Sequence, residues 1–140
     1  MQLIRQRSSF DCGVAVVATL AQVSYDAVLD RLITGLSSTG PIHEIALWRS
    51  LEDITKSAWS LEYTRKPWPQ FAAHQFPGTP TAAVIQREDR SRHYVAVCSA
   101  LVYDPAFEAP FEECRHPDGA AWVTALFRLK SEAGRTTRST

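Results

Sequence analysis

The sequence predicts an α+β domain in which N-terminal helices pack on an antiparallel sheet. Two observations support this prediction: helical periodicity dominates the N-terminal part, and short β-rich runs separated by tight turns follow it. With 140 residues, 45% of them hydrophobic, the chain has the length of one domain and enough apolar surface for one core. We assign residues 1–130 to this domain and the polar residues 131–140 to a disordered tail.

Three N-terminal segments have the pattern of helices. Residues 13–23 are apolar almost all round and rich in alanine, which predicts a buried helix. We expect it to begin at Asp11 or Cys12, with the Asp11 carboxylate as its N-cap. Residues 26–36 carry an apolar stripe on one helical face, which predicts an amphipathic helix. A third helix is predicted from Pro41, because proline suits the first helical position and apolar residues recur at helical spacing after it.

The C-terminal half has the pattern of a sheet. Residues 59–63 alternate between apolar and polar, and three longer runs, 81–87, 93–100 and 122–129, are rich in the residues that strands favour. Residues 101–103 predict a further strand after a tight reversal. Because the connections between these strands are short, we expect the sheet to be antiparallel.

The charge balance excludes several classes of partner. Fifteen Lys and Arg against fifteen Asp and Glu give no net charge, so neither nucleic acid nor a membrane is a predicted partner. The three cysteines are an odd number in a chain that needs no disulfides, which favours a reducing compartment and predicts a cytoplasmic protein. The alternative is a signal peptide, since Arg5 and Arg7 precede an apolar run. Against it, Asp11 lies between the arginines and the run, the run is only eight residues long, and no small-residue cleavage site follows.

Cys12 is the candidate nucleophile. The N-terminus of a helix carries partial positive charge and favours a thiolate, and a neighbouring imidazolium adds to this effect. His93 begins one predicted strand and Asp104 ends the next, so in an antiparallel pair the two lie at the same edge of the sheet. Gln6 precedes Cys12 in an irregular segment, and its amide is a candidate oxyanion donor together with the Cys12 backbone N–H.

Three motifs in the chain resemble those of a known family. They are Gln6-Arg-Ser-Ser-Phe-Asp-Cys12-Gly-Val-Ala, His93-Tyr-Val-Ala-Val and Val-Tyr-Asp104-Pro. In this order they resemble the bacteriocin-processing (double-glycine-leader) peptidases, a family of papain-like cysteine peptidases, over residues 4–129. The resemblance implies a papain-like fold with Cys12 as nucleophile, His93 as general base and acid, Asp104 as the group that orients His93, and Gln6 as oxyanion donor.

The resemblance also implies the reaction. It predicts a thiol hydrolase that cleaves an amide bond in a peptide or protein substrate, with no cofactor and no metal. Two alternatives stay open: a catalytically silent peptide- or protein-binding domain of the same fold, and amidase, transglutaminase or isopeptidase chemistry on the same triad. A zinc site built from Cys98, Cys114, His116 and a further histidine is disfavoured, because the spacing typical of zinc ligands is missing. The sequence predicts neither the substrate nor the oligomeric state.

Overall fold

The structure is a computed structural model that describes residues 1–7, 12–35, 44–68, 79–112, 115–118 and 121–130. Within these ranges the chain forms three helices and then six strands. The helices are α1 (Cys12–Ala21), α2 (Tyr25–Gly35) and α3 (Glu44–Thr55), and the strands are β1 (Trp59–Pro67), β2 (Thr81–Gln86), β3 (Arg92–Cys98), β4 (Leu101–Tyr103), β5 (Phe111–Glu112) and β6 (Trp122–Leu129). The α+β prediction is confirmed. The predicted N-cap at Asp11 and the predicted tail 131–140 lie outside the described residues.

Helix α1 is buried and ends in a well-defined cap. Its residues from Cys12 to Thr19 are all buried, and the helix packs against α2, α3 and β3. At its C-terminus the N–H of Val23 donates to the C=O of Ala18 at 3.1 Å, and the N–H of Gln22 donates to the C=O of Thr19 at 3.3 Å. This is a Schellman motif, and Gln22 takes its left-handed position with φ of 54°. The predicted helix over 13–23 therefore stops two residues early, at the cap.

The other two helices complete the helical layer. The Ser24 hydroxyl oxygen accepts the backbone N–H of Ala27 at 3.1 Å and so caps the start of α2. Helix α3 packs on β1, where the indole of Trp48 donates to the C=O of Trp59 at 2.7 Å. The predicted start of this helix at Pro41 lies outside the described residues. No single helix in the described part of the chain is long and apolar enough to cross a membrane, and only α1 with the start of α2, a pair bent by 113°, passes that test of length and composition.

The sheet is antiparallel throughout and has apolar side chains on both faces. The strand order is β1-β6-β2-β3-β4-β5, and every neighbouring pair is antiparallel. On the helix side, alternate residues such as Tyr94 and Phe127 pack with α1. On the other side, residues such as Val95 and Ile85 form a second cluster with Trp68. Strands β2 and β3 are therefore buried on both faces.

Several strand bounds differ from the sequence prediction. Strand β2 ends at Gln86 instead of residue 87, and strand β3 ends at Cys98 instead of residue 100, because the last two residues of the predicted run form the turn. Strand β1 continues to Pro67, past the predicted end at residue 63, and its register with β6 shifts between Tyr63 and Lys66. Strand β1 lies at the edge of the sheet. One side of an edge strand forms no hydrogen bonds to a neighbouring strand, so both the register shift and the proline are tolerated there. Strand β5 was not predicted, because two residues, Phe111 and Glu112, carry no detectable alternation.

A two-residue reversal joins β3 and β4. Cys98 pairs with Leu101, and the residues between them, Ser99 and Ala100, both have positive φ, at 53° and 66°. This geometry is that of a type I′ turn, in which Asn and Gly are the usual residues. The short turn fixes the register of the two strands that carry His93 and Asp104.

Candidate active site

The register of β3 and β4 brings His93 and Asp104 together. Ala96 lies opposite Tyr103, so continuing the pairing by one residue places Asp104 opposite Val95. Side chains two residues apart on a strand share a face, so Asp104 lies diagonally beside His93. The two side chains meet at 2.6 Å between Nε2 of His93 and Oδ1 of Asp104. The sequence prediction that these residues are in contact is confirmed.

The third member of the predicted triad, Cys12, comes from the opposite end of the chain. It is the first residue of α1, which packs across β3, and its side chain is buried. The imidazole of His93 bonds to Asp104, and the Cys12 side chain lies close enough to raise the pKa of His93 through hydrogen bonding and charge. Because Nε2 of His93 is engaged by Asp104, Nδ1 is the ring nitrogen that remains for the sulfur. Cys12, His93 and Asp104 thus form one continuous chain of polar contacts.

The electrostatics of this chain favour a protonated His93. Burial opposes a charged imidazole, but the hydrogen bonds and negative charge supplied by Asp104 and Cys12 prevail and raise the pKa of His93 from 6.5 to about 9. Burial likewise acts to raise the pKa of Asp104, yet hydrogen bonds from two histidines and a backbone N–H hold that pKa below its ordinary value of 3.8. At neutral pH the site therefore contains a buried carboxylate beside an imidazolium that faces the sulfur.

The segment that carries Gln6 is fixed beside this site. Residues 1–7 run along α1, where the Gln22 side chain bonds both the N–H and the C=O of Gln2, at 3.0 and 2.9 Å, and the Thr19 hydroxyl accepts the N–H of Ile4 at 2.9 Å. The N–H of Gln6 then donates to the C=O of Pro105 at 2.9 Å. Gln6 is thus held next to the residue that follows Asp104, and oxyanion stabilisation by its side-chain amide stays a prediction.

A second histidine, missed by the sequence analysis, binds the same carboxylate. Nε2 of His116 lies 2.8 Å from Oδ2 of Asp104, and the indole N–H of Trp68 donates to Nδ1 of His116 at 3.0 Å. Oδ1 of Asp104 also accepts the backbone N–H of Ala106 at 3.0 Å. The sequence His-Pro-Asp at residues 116–118 has the composition of a turn, and nothing in its spacing links it to Asp104.

The acidic and histidine groups described here form a hydrogen-bond network. Asp104, His116 and Asp118 each offer a ligand atom, and these atoms lie within 4.8 Å of one another. However, both nitrogens of His116 are used by Asp104 and Trp68, and Asp118 pairs with Arg87 at 3.0 Å. Of the two cysteines considered with His116, Cys98 lies at the end of β3 away from His93, and Cys114 lies outside the described residues.

Comparison with known proteins adds no relative. The sequence matches no protein-family model and no curated protein. Function is therefore inferred from the geometry of these side chains and from the motifs that carry them.

Proposed function

We propose that this protein is a cysteine peptidase with a papain-like fold, in which Cys12, His93 and Asp104 form the catalytic triad. The observation that carries the proposal is the buried contact chain from Cys12 through His93 to Asp104. A nucleophilic cysteine, a base within reach of it and a third group that orients the base are the parts that acyl transfer requires. The resemblance of the three motifs to the bacteriocin-processing peptidases supports the same assignment.

The first half of the reaction forms an acyl-enzyme. The Cys12 thiolate attacks the carbonyl carbon of an amide, and the carbonyl oxygen becomes an oxyanion that accepts hydrogen bonds from the Cys12 backbone N–H and the Gln6 amide. The C–N bond then breaks as His93 gives its proton to the leaving amine. A histidine with a pKa of about 9 holds this proton at neutral pH. The product is a thioester on Cys12.

The second half restores the enzyme. Neutral His93 accepts a proton from water while the water oxygen attacks the thioester carbonyl carbon. The C–S bond breaks, the carboxylic acid product leaves, and the Cys12 thiolate is regenerated beside the protonated His93. Asp104 keeps its charge throughout and holds the ring in place. The substrate class is a peptide or a protein. An amine in place of water would give transglutaminase or isopeptidase chemistry from the same thioester.

A catalytically silent binding domain is the second candidate, and the burial of Cys12 favours it. Cys12 is only 7% exposed, whereas a nucleophile must be reached by a carbonyl carbon. Such a domain would keep the fold and bind a peptide or partner protein without forming a covalent intermediate.

The decisive experiment separates these two candidates without a known substrate. Purified protein and its Cys12→Ser variant are incubated with a proteome, and new peptide N-termini are identified by mass spectrometry. The peptidase proposal expects N-termini that appear with the native protein and not with Cys12→Ser. Peptides that co-purify with both proteins and remain uncleaved would replace it with the binding domain. A Cys12→Ala variant repeats the control without a hydroxyl.

A further inference from the structure

Asp104 is held by histidines on both of its oxygens. Its side chain is fully buried, and so is that of His116. Oδ1 accepts from His93 and from the N–H of Ala106, while Oδ2 faces Nε2 of His116 at 2.8 Å. A carboxylate with one oxygen fixed by a donor outside the triad has only one orientation open to it.

The surroundings of His116 fix which of its nitrogens carries the proton. Nδ1 accepts the indole N–H of Trp68 at 3.0 Å and faces the backbone N–H of Asp118 at 3.3 Å. Both of these groups can only donate, so Nδ1 carries no proton. The proton of the neutral ring is then on Nε2, where it points at Asp104. His116 is therefore a donor of one hydrogen bond in one direction.

We infer that His116 is a positioning residue of the Cys12 site, which fixes the Asp104 carboxylate so that its other oxygen faces His93. This inference rests on the proposed function for its catalytic consequence, although the hydrogen-bond chain itself does not. The complete chain runs from Trp68 through His116 and Asp104 to His93 and Cys12.

The physical need for His116 comes from the burial of Asp104. A buried carboxylate oxygen without a donor is strongly destabilised, and the side chain would rotate or take up a proton to avoid this. Hydrogen bonding by His116 is the foremost influence that keeps the pKa of Asp104 low against burial. Either rotation or protonation would remove the acceptor that orients His93 toward Cys12.

Three variants separate hydrogen-bond donation from packing. His116→Phe keeps an aromatic ring against Trp68 and removes both the donor to Asp104 and the acceptor of the Trp68 indole N–H. His116→Gln places an amide N–H near the position of Nε2 and restores it. Phe111→Leu is the matched control. The Phe111 ring packs edge-to-face against His116, with 5.6 Å between the ring centroids, and a phenyl ring makes no hydrogen bond to Asp104.

The first readout is kinetic. We expect His116→Phe to lower kcat by about 10–100-fold with KM unchanged. Metalloenzymes lose activity by a similar factor when the group that orients a metal-binding histidine is removed, and His116 orients Asp104 in the same way. His116→Gln should recover most of this loss, and Phe111→Leu should leave kcat within about twofold of the native value. Equal losses in the Phe and Gln variants, or a loss confined to KM, would assign His116 to packing and overturn the inference.

The second readout needs no substrate and stands even if the peptidase proposal fails. In the Cys12→Ser protein, ¹H–¹⁵N NMR should show Nε2 of His116 protonated and Nδ1 unprotonated at neutral pH, together with a low-field proton between His93 and Asp104. That proton signal should disappear in His116→Phe and persist in His116→Gln. If the His116 ring instead carries its proton on Nδ1, the inference is wrong whether or not the His116 variants fold. If these NMR signals are observed but the native protein shows no peptidase activity, the proposed function is wrong and the positioning role of His116 stands.

Discussion

The raised pKa of His93 can be divided between its two partners, and the division tests the site directly. Asp104 and Cys12 together raise it from 6.5 to about 9 although burial acts in the opposite direction. Because burial opposes them, the two partners contribute more than the net shift, which corresponds to about 3 kcal/mol. Removing both partners and keeping the burial should therefore carry the pKa of His93 below 6.5.

The perturbation is a cycle of two substitutions, Asp104→Asn and Cys12→Ser. Each removes one source of negative charge beside the ring and retains a side chain of similar size. Asp104→Asn alone leaves the sulfur as a partner, and Cys12→Ser alone leaves the carboxylate, so each single variant should titrate between the two extremes. The double variant should show the full drop, of more than two pH units.

The assay is a pH titration of the His93 ring by NMR, which needs neither substrate nor turnover. The His116 ring is assigned separately in each variant, because Nε2 of His116 bonds to Asp104 and its surroundings change in Asp104→Asn. A His93 midpoint that stays above pH 7 in the double variant would show that the raised value does not arise from these partners. The contact chain would then have no electrostatic role.

Three further predictions concern the same site. Gln6→Ala should lower kcat by about 10²–10³-fold with KM nearly unchanged, because the amide acts only on the developing oxyanion, and steady-state kinetics would place Gln6 in substrate binding if only KM moved. At pH 6 iodoacetamide should label Cys12 faster than Cys98, although Cys98 is the less buried of the two thiols, and His93→Ala should abolish this difference. Mass spectrometry measures the labelling of each cysteine. Equal labelling of the two in the native protein would contradict the pairing of Cys12 with His93. The raised pKa of His93 should stabilise the fold by up to about 3 kcal/mol below pH 6.5, and this contribution should be lost as the pH rises through about 9. Urea unfolding at pH 6 and pH 9 measures it, with His93→Gln as the control in which the pH dependence should shrink.

The contact between His93 and Asp104 was predictable because it depends on local geometry alone. Two runs with strand composition, a tight reversal and antiparallel pairing leave few choices of register. Cys12 was predictable as a helix N-terminal residue for a similar reason, since the apolar run after it is long and begins abruptly. No periodicity in the sequence places Cys12 beside β3, and only the resemblance of the motifs predicted that it meets His93.

The role of His116 was not predictable, because it depends on packing between distant and irregular segments. His116 reaches Asp104 from a stretch without periodicity, and its tautomer is set by Trp68, which follows β1 and lies 48 residues away in the sequence. The position of Gln6 is decided in the same way, by side-chain to backbone bonds from Gln22 and Thr19. Contacts of this kind leave no spacing in the sequence from which they can be inferred.

The type I′ turn between β3 and β4 has a consequence for the order in which the site assembles. His93 and Asp104 are only 11 residues apart, so this hairpin closes a small loop and can form early, with little loss of chain entropy. Cys12 joins it only when α1 docks on the sheet, a contact between distant parts of the chain that costs more entropy to form. Under the proposed function, Cys12 therefore meets His93 only when the core is complete. Activation of Cys12 should accordingly be among the last events of folding, and its reactivity should report the native state.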